Sequence, residues 1–489
     1  MRLVEVARGC CSVPARWRDV EIRGLSADSR GAKPGDLFVA IPGARADGRL
    51  YAAKAAEAGA AAVVFEFARD RPPPEELRAL RVPSLPVPDA RRALGRLARN
   101  FYRIGRSDVQ LVGVTGTKGK TTTAWLLDAI FRAAGRTSGL FGTVHHRVGD
   151  RVVPSSNTTP SCLELHRALR DLVDMGGTHA ALEVSSHGID QRRIEGLPFA
   201  AGIFTNIAPE HLDYHKTFEN YLETKARFFE DLDPAAFAVL SREDPASRRI
   251  ASATPARVAW YGADGQDGVE DVRAGPDGMV FKWRGREVRS RLWGHHNLLN
   301  VLAAMTCAEC LGFGCDAIAA GIETARPPPG RLEPVEHRGP FRVFVDYAHT
   351  EGSLDAVLRT LREITRGRLI TIFGCGGDRD RTKRPRMGRV AEVWSDQVIV
   401  TSDNPRSEDP ERIIEEIASG MERRGDTVFV PDRREAIALG IRMARENDTV
   451  LVAGKGHEAT QEIRGTKVPF DDRRVAREYL AERGLLEGP

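Results

Sequence analysis

Residues 109–123 read VQLVGVTGTKGKTTT, an apolar run followed by a glycine-rich turn and a stretch of helical character. This succession predicts a strand, a loop and a helix that together form a phosphate loop. The backbone amides of such a loop can surround phosphate groups, while Lys120 can neutralise their charge and Thr121 can ligate Mg²⁺. Counted from Gly116, the second glycine comes one residue earlier than in the usual GxxxxGK[ST] pattern. We therefore expect nucleotide binding, which by itself is compatible with a kinase, an ATPase or a ligase.

Strand-like apolar runs alternate with longer helical patterns over the rest of the chain, which predicts an α/β fold with mostly parallel sheets. Several of the runs lead into glycine-rich or polar loops, and ligands of such sheets bind at the carboxyl ends of strands. The runs interpreted as strands are residues 37–41, 61–65, 109–114, 180–184, 202–204, 343–345, 369–373, 397–400 and 449–452.

The length of 489 residues exceeds that of one ordinary domain, and we expect three domains. Pro86 and Pro88 precede a helical stretch at 90–104, after which a new strand leads into the phosphate loop. The run Arg-Pro-Pro-Pro-Gly-Arg at 326–331 ends a helix and favours an extended connector. The predicted domains are residues 1–89, 90–330 and 331–489.

The composition is that of a soluble globular protein, with 42% hydrophobic and 29% charged residues. Lysine and arginine exceed aspartate and glutamate by 72 − 68 = 4, too small an excess to predict nucleic-acid binding. The sequence has no signal-peptide pattern and no uncharged apolar stretch of about 18 residues, so we expect a cytoplasmic protein that is not embedded in a membrane. It has no stripe typical of a dimer interface, and we expect a monomer.

Seven cysteines are scattered without paired metal-ligand spacing, which predicts reduced thiols and neither a disulfide framework nor a zinc site. Cys307 and Cys310 form a CxxC pair within the helical stretch 300–311. Redox chemistry needs an exposed cysteine of low pKa at the start of a helix, so we interpret this pair as thiols of the core.

Three polar residues downstream of the phosphate loop are candidates for a functional role, and their sequence patterns support such a role to different degrees. Glu183 follows a strand and is well placed to hold a divalent ion beside the loop. For His211, a structural role and a ligand role are equally supported by the residues alone. Lys225 has the pattern of a surface lysine on an amphipathic helix. We interpret the adjacent Ser186 and His187 as positioning groups and not as a hydrolase dyad.

Three charged loops, at 374–380, 403–406 and 454–458, each follow a predicted strand. A substrate with two amino and two carboxylate groups needs a guanidinium fork for a carboxylate and an acid for an ammonium group. Arg379 and Arg406 can supply the first, and Asp403 and Glu458 the second. Salt bridges that only stabilise the loops explain the same charges equally well.

In its order of motifs, the chain resembles the Mur ligase family. The motifs that carry the resemblance are 115–123, 183–188, 205–215, Lys225, 294–300 and 346–349. The resemblance implies an N-terminal UDP-binding α/β domain, a central phosphate-loop ATPase domain and a C-terminal Rossmann-like domain. The patterns at 28–30, 34–40 and 46–48 resemble the branch of the family that acts on UDP-N-acetylmuramoyl-L-alanyl-D-glutamate.

The resemblance also implies roles for single residues. Lys120, Glu183, His211 and Lys225 are the expected catalytic residues, and Lys225 resembles a lysine that CO₂ converts to a carbamate. Mg²⁺ is expected at Thr121, Glu183, His211 and this carbamate. ATP is expected at Gly116, Thr117, Lys118, Gly119, Lys120, Thr121, Thr122, Asn297, Arg331 and Asp346. The UDP-muramoyl-dipeptide is expected at Ser29, Ala44, Arg45, Ala46, Asn157, Thr158, Thr159, Ser185, Gln191 and Arg193.

The C-terminal loops are expected to select the amino acid. The motif Asp403-Asn-Pro-Arg406 resembles the branch that adds meso-diaminopimelate, whereas lysine-adding relatives generally lack the arginine. The residues expected to bind it are Arg379, Asp403, Asn404, Pro405, Arg406, Gly454 and Glu458. The resemblance thus implies an ATP-dependent amide ligase of peptidoglycan precursor synthesis that acts through an acyl phosphate. Alternatives are a lysine-adding or folylpolyglutamate-extending ligase, and a catalytically silent nucleotide-binding scaffold.

The chain departs from the family pattern at three places. Lys118 stands where asparagine is usual, Ala44 where histidine is common, and Glu351-Gly-Ser where a Pro-Asp pair is more typical. None of these departures removes a group to which the resemblance assigns catalysis.

Overall fold

The computed structural model describes residues 1–43, 46–67, 74–155, 157–266, 268–275, 277–422 and 426–486. The chain divides into two compact units. The first comprises Met1–Gly262 and Val301–Gly321, and the second comprises Ala263–Asn300 and Ile322–Pro489. None of the helices that the described residues form is long and apolar enough to cross a lipid bilayer.

The α-helices are α1 (Leu3–Val6), α2 (Ala52–Glu57), α3 (Glu75–Arg78), α4 (Ala90–Tyr102), α5 (Lys120–Ala133), α6 (Cys162–Asp174), α7 (Ser186–Asp190), α8 (Leu212–His215), α9 (Phe218–Glu230), α10 (Ala246–Ala253), α11 (His295–Cys310), α12 (Cys315–Thr324), α13 (Glu351–Ile364), α14 (Lys383–Trp394), α15 (Pro410–Ala418), α16 (Arg433–Met443) and α17 (Asp472–Glu482). Short 3₁₀ helices lie at Ala15–Trp17 and Gly48–Tyr51.

The strands are β1 (Gly24–Ser26), β2 (Asp36–Ala40), β3 (Ala62–Glu66), β4 (Ser84–Val87), β5 (Gln110–Thr115), β6 (Ser138–Phe141), β7 (His145–Val148), β8 (Arg151–Pro154), β9 (His179–Glu183), β10 (Phe199–Phe204), β11 (Phe237–Ser241), β12 (Arg257–Tyr261), β13 (Val269–Gly275), β14 (Gly278–Trp283), β15 (Arg286–Ser290), β16 (Glu333–Pro334), β17 (Arg342–Asp346), β18 (Leu369–Phe373), β19 (Gln397–Val400), β20 (Thr427–Phe429), β21 (Thr449–Ala453), β22 (Thr460–Ile463) and β23 (Thr466–Pro469).

The first unit contains a parallel sheet in the order β1-β2-β3-β4 and a larger sheet in the order β12-β11-β10-β5-β9-β6-β7-β8. In the larger sheet, β5 pairs in parallel with β9 on one side and with β10 on the other. These strands are almost entirely buried, as expected when helices cover both faces of a parallel sheet. The segments that follow β5, β9 and β10 therefore leave the sheet side by side.

The second unit contains a sheet in the order β16-β17-β21-β18-β19-β20, in which only the short β16 runs antiparallel among the described strands. Phe344, Phe373 and Leu451 pack on one face of this sheet. Ile372 and Val452 pack on the other face. The segments after β17, β21, β18 and β19 emerge as neighbours at one edge. These are the predicted functional loops.

The nine strands predicted from the sequence are confirmed, with limits that differ by at most three residues. The predicted helix at 90–104 is α4, which begins after Asp89, whose side chain accepts a hydrogen bond from the Arg92 amide. The domain limits at 89/90 and 330/331 stay predictions.

None of the seven cysteines, all of which lie in the described residues, forms a disulfide bond. Cys307 is fully buried on α11, and this burial raises the pKa of its thiol well above the ordinary value, which confirms a core thiol. Cys310, at the end of the same helix, is only half-buried.

Candidate active site

The phosphate loop of the first unit is braced by the end of β10. Thr205 Oγ1 donates a hydrogen bond to the Lys118 carbonyl at 2.6 Å. Asn206 accepts from the Thr117 amide at 2.8 Å through its carbonyl, and from the Lys118 amide at 3.0 Å through Oδ1. Two amides expected to face phosphate thus bind Asn206 instead. The remaining donors are those of the first turn of α5, whose amides lack intrahelical acceptors.

Both glycines of the loop are required by its shape. Gly116 has a φ of 148°, and a Cβ at this position would lie 1.9 Å from Thr205 Oγ1. Gly119 has a φ of 86° and forms the N-cap of α5. The shorter spacing noted in the sequence therefore still gives a compact loop that leads directly into a helix N-terminus, which favours an anion.

Two lysines converge on one carbonyl of the loop. Lys120 Nζ and Lys225 Nζ each donate a hydrogen bond to the Gly116 carbonyl at 2.8 Å. Lys225 is 1% exposed, and its ammonium lies 4.6 Å from the centroid of the Tyr221 ring. Burial, followed by the charge of Lys120, lowers the pKa of Lys225 well below its ordinary value, whereas Glu210 acts in the opposite direction. A neutral amine at Lys225 resolves the repulsion between the two groups.

Glu183 at the end of β9 collects hydroxyl and amide donors. Thr121 Oγ1 donates to Glu183 Oε2 at 2.9 Å. Thr143 donates to Oε1 at 2.8 Å through its amide and to Oε2 at 3.0 Å through its hydroxyl. The 2.9 Å spacing matches the roughly 3.0 Å that separates neighbouring oxygen ligands of an octahedral Mg²⁺ with bonds of about 2.1 Å. The predicted pair of Thr121 and Glu183 therefore does come together, and its oxygen donors suit Mg²⁺.

His211 lies outside this pair. It is exposed, has a φ of 57°, and its ring centroid lies 5.0 Å from that of His187. Among the described contacts, none joins His211 to Thr121 or Glu183, and no three His, Cys, Asp or Glu side chains in the described residues gather as a ready metal site. Ser186 pairs with His215 Nε2 at 3.0 Å, so it forms no dyad with its neighbour His187.

Predicted substrate residues of the first unit surround a cavity of about 300 Å³. Asn157, Gln191 and Arg193 line it, as do Ala27 and Ile41 of the N-terminal segment. It is therefore a concave site to which residues before and after the phosphate loop both contribute, with apolar as well as polar side chains.

The substrate residues beside this cavity are linked to Glu183. Arg193 Nη1 donates to the Thr159 carbonyl at 2.8 Å, and Thr159 Oγ1 donates to the Glu183 carbonyl at 2.8 Å. Thr159 Oγ1 also lies 3.0 Å from Ser185 Oγ. Thr158 Oγ1 lies 3.1 Å from Thr143 Oγ1.

The N-terminal members of this predicted set are less connected. Ser29 lies half-buried in a turn after β1, and Ala46 is exposed. Ala44 and Arg45 lie outside the described residues.

The second unit holds the remaining residues predicted for ATP. Asp346 accepts hydrogen bonds from the Leu332 amide at 2.6 Å and from the Ala348 amide at 2.7 Å, and so fixes the segment next to Arg331. The Arg331 guanidinium lies 4.7 Å from the Tyr347 ring centroid, and its buried Nε has no hydrogen-bond partner among the described residues. Such an unpartnered donor suits an anionic or polar ligand.

Asn297 is buried elsewhere in the second unit. Its Nδ2 donates to the Trp293 carbonyl at 2.9 Å, and its Oδ1 accepts from Asn300 at 3.1 Å.

The side chains of Arg379 and Arg406 both come close to Gly376, in the loop after β18. A Cβ at Gly376 would lie 2.9 Å from Arg406 Nη1 and 3.9 Å from Arg379 Cγ. The Arg406 guanidinium already has partners within the chain. Its Nη1 donates to the Gly377 carbonyl at 2.6 Å, and its Nε lies 3.5 Å from Glu462 Oε2. Arg379 is exposed.

The acidic half of the predicted site is a network in which Asp403 and Asn404 are buried and Glu458 is half-buried. Asp403 Oδ1 accepts from the Asn404 amide at 2.7 Å, and a Cβ at Gly454 would lie 2.6 Å from Asp403 Oδ2. Asn404 Nδ2 donates to Glu458 Oε2 at 2.9 Å. The Pro405 carbonyl accepts from the Glu408 amide at 3.0 Å, which closes the turn after this loop.

Four functional neighbours escaped sequence reasoning. Thr143 binds Glu183, and Glu210 pairs with Lys118 at 2.8 Å. Lys455 is buried within the loop at 454–458, and Arg433 is buried against the Ser402 and Ala453 carbonyls, which directly precede the loops at 403–406 and 454–458. Of these, only Lys455 had a local signal, since it stands between two glycines directly after a buried strand.

A phosphate loop on a central strand of a mostly parallel sheet, with a carboxylate on the neighbouring parallel strand, is typical of a nucleotide-binding α/β enzyme. Comparison with known proteins narrows this class. Sequence models of three domains match the chain: "Mur ligase family, catalytic domain" at residues 21–102, "Mur ligase middle domain" at 114–308 and "Mur ligase, glutamate ligase domain" at 330–456.

Full-length relatives show the same affiliation. The UDP-N-acetylmuramoyl-L-alanyl-D-glutamate--2,6-diaminopimelate ligase of Geobacter metallireducens is 42% identical over 492 residues, covering 93% of each chain. The enzyme of the same name from Aquifex aeolicus is 39% identical over 95% of each chain. A solved structure of a ligase with this name superposes with a TM-score of 0.73 at 31% identity over 99% of both chains. This chain belongs to the Mur ligase family.

Proposed function

We propose that this protein is an ATP-dependent ligase that joins meso-diaminopimelate to the D-glutamyl γ-carboxylate of UDP-N-acetylmuramoyl-L-alanyl-D-glutamate. The observation that carries the proposal is the arrangement of charges at the carboxyl edge of the second unit's sheet. The Arg406 guanidinium and the side-chain stem of Arg379 lie near Gly376, while Asp403 and Glu458 lie in one network with Asn404. A diamino dicarboxylate needs both signs of charge. The names of relatives that match nearly the whole chain support the same substrate.

The proposed reaction has two steps. A γ-carboxylate oxygen of the muramoyl dipeptide attacks the γ-phosphorus of ATP, and the bond to the ADP oxygen breaks to give an acyl phosphate. The amine of the amino acid then attacks the acyl carbon and loses a proton, and the tetrahedral intermediate expels phosphate to leave the amide. Lys120, held at the loop by the Gly116 and Thr117 carbonyls, offsets the charge of the two anions that must meet.

Thr121 and Glu183 are the residues that would hold Mg²⁺, with His211 as a further proposed ligand. Bound Mg²⁺ would supply positive charge to the phosphate oxygens. Lys225 is proposed to carry a carbamate: burial lowers the pKa of its amine, and the deprotonated amine can attack CO₂ and release a proton, which yields a carboxylate beside the phosphate loop.

The remaining assignments follow from this reaction. The residues predicted for the muramoyl dipeptide and for ATP are proposed to bind them, and the cavity beside Arg193 is the proposed dipeptide site. ATP and a UDP-linked precursor of peptidoglycan are cytoplasmic compounds, and we place the protein there. We propose that it acts as a monomer.

The test is a phosphate-release assay with purified protein, ATP, Mg²⁺ and the UDP-muramoyl-dipeptide, in which meso-diaminopimelate, L-lysine and L-glutamate are compared. We expect release that depends on both the dipeptide and meso-diaminopimelate, and mass spectrometry of the product should show the added residue. A preference for L-lysine would replace the amino-acid assignment. Release that is independent of the dipeptide would refute the ligase assignment.

A further inference from the structure

Lys455 is a buried lysine in the loop that follows β21, with a side chain that is 0% exposed. Its Nζ donates to Asn404 Oδ1 at 3.1 Å, to Glu458 Oε2 at 3.2 Å and to the Thr460 carbonyl at 2.7 Å. An ammonium group has three donors, so these contacts use all of them. Lys455 is therefore completely engaged within the chain and has no donor left for a substrate.

The contacts of Lys455 determine which way the Asn404 amide points. Asn404 Oδ1 accepts from Lys455 and, at 2.9 Å, from the Glu462 amide, both of which can only donate. Asn404 Nδ2 faces Glu458 Oε2, which can only accept as a carboxylate. The amide can thus satisfy its partners in only one of its two orientations.

Glu458 is oriented by the same network. Both Lys455 and Asn404 donate to its Oε2, and no hydrogen-bond partner for its Oε1 occurs among the residues that the structure describes. The side chain of Glu458 is 33% exposed, whereas that of Lys455 is not exposed at all. The carboxylate therefore presents one oxygen to the interior lysine and keeps the other for the solvent side, where a ligand ammonium can reach it.

We propose that Lys455 is a positioning residue for amino-acid recognition, which fixes Asn404 and Glu458 without touching the substrate itself. This inference rests on the proposed function of the loops at 403–406 and 454–458. Loss of the buried ammonium would leave Glu458 without its charged partner and release the Asn404 amide to rotate. Binding of the amino acid should suffer most, because the groups concerned are those proposed to hold it.

The experiment compares Lys455→Met, which keeps similar bulk but removes the charge, with Lys467→Met, which alters an exposed lysine on the nearby strand β23. The KM values for meso-diaminopimelate, ATP and the UDP-muramoyl-dipeptide, together with kcat, are measured for both variants and the wild type. We expect the KM for meso-diaminopimelate to rise about thirtyfold in Lys455→Met, as for loss of one partner of a buried charge pair. The other two KM values should change by less than about twofold, and Lys467→Met should match the wild type.

The comparison of the three KM values supplies a readout that a merely structural role would not move. A general loosening of the second unit would lower kcat and raise the KM values together, whereas loss of a positioning residue should raise the KM for meso-diaminopimelate selectively.

An unchanged KM for meso-diaminopimelate, or an equal loss for all three substrates, would overturn the inference. If Lys455→Met does not fold, Lys455→Gln, which keeps a donor but not the charge, is judged by the same criteria. Failure of both variants to fold would assign Lys455 a structural role only and would also overturn it. A wild-type protein that ligates no amino acid refutes the proposed function, whereas an active wild type with a normal Lys455→Met variant refutes only this inference.

Discussion

Replacement of Arg433 by methionine is expected to destabilise the second unit by about 3–5 kcal/mol. Arg433 and Asp472 form an ion pair in which both side chains are 0% exposed. The guanidinium donates through Nε to Asp472 Oδ1 at 2.8 Å and through Nη2 to Oδ2 at 2.7 Å. Methionine replaces part of the volume but leaves a buried carboxylate without its partner, which is the costly way to break such a pair.

Two further contacts place the expected loss in the upper half of that range. Arg433 Nη1 donates to the Ser402 carbonyl at 3.2 Å, and Nη2 donates to the Ala453 carbonyl at 2.9 Å. Each of these two bonds accounts for about 1 kcal/mol of the expected loss when its carbonyl stays buried. Ser402 and Ala453 directly precede the loops at 403–406 and 454–458, which are proposed to bind the amino acid, so the variant should also raise the KM for meso-diaminopimelate.

The assay is urea unfolding followed by tryptophan fluorescence, to which Trp293 and Trp394 of the second unit contribute. The control is Arg434→Met, because Arg434 pairs with Glu478 while the two side chains are 40% and 39% exposed, and such pairs contribute only about 0–1 kcal/mol. The double variant Arg433→Met/Asp472→Leu should recover most of the lost stability, since it removes both charges. A loss below about 1 kcal/mol in Arg433→Met, or no recovery in the double variant, would refute this reasoning.

Lys120→Ala should abolish ligation because the transferred phosphoryl group loses its fixed cation, and normal turnover in the phosphate-release assay would argue against the phosphate-loop assignment. Lys225→Ala should be nearly inactive and partly rescued by formate, whereas full activity without formate would leave Lys225 without a chemical role. Arg406→Ala should reduce the preference for meso-diaminopimelate over L-lysine by roughly thirty- to a thousandfold in kcat/KM, and an unchanged ratio would exclude Arg406 as the selector. Burial lowers the pKa of His166 to about 4, so the stability that its neutral ring provides is complete above about pH 6.5 and is lost as the pH falls through 4. His166→Gln should flatten the decline in Tm over this interval, and an equally steep decline would contradict that assignment.

The sequence was sufficient to predict the strands and the loops that follow them. A fully buried parallel strand has a continuous apolar sequence, and polar residues or glycines mark where it ends. This holds for β5, β9 and β18, whose carboxyl ends carry the phosphate loop, Glu183 and the Gly376 region. Partners distant in sequence could not be predicted. Glu462, on the hairpin strand β22, is 56 positions from Arg406 along the chain, and no local sequence pattern predicts the contact between them.

For Lys225, the prediction of a surface lysine was wrong for a different reason. Its charge alone favours the surface, but Tyr221 and Phe228 lie four residues before it and three after it, the spacing of one helical face. Both are buried, at 1% and 2% exposure, and Lys225 is buried with them. The helical spacing of these residues indicates that Lys225 is buried, whereas its charge favours a surface position.

Lys225 and Lys455 are both buried lysines, but the groups that they contact give them different chemical properties. Lys225 contacts a carbonyl and an aromatic ring, and Lys120 shares that carbonyl, so a proton there meets a like charge. Lys455 contacts a carboxylate, an amide oxygen and a carbonyl, all of which accept from an ammonium group. Burial removes water from both side chains, so the chemical behaviour of each lysine depends on its protein partners. The first environment lowers the pKa of an amine that can react with CO₂, and the second holds a lysine in three contacts through which it can orient the groups around it.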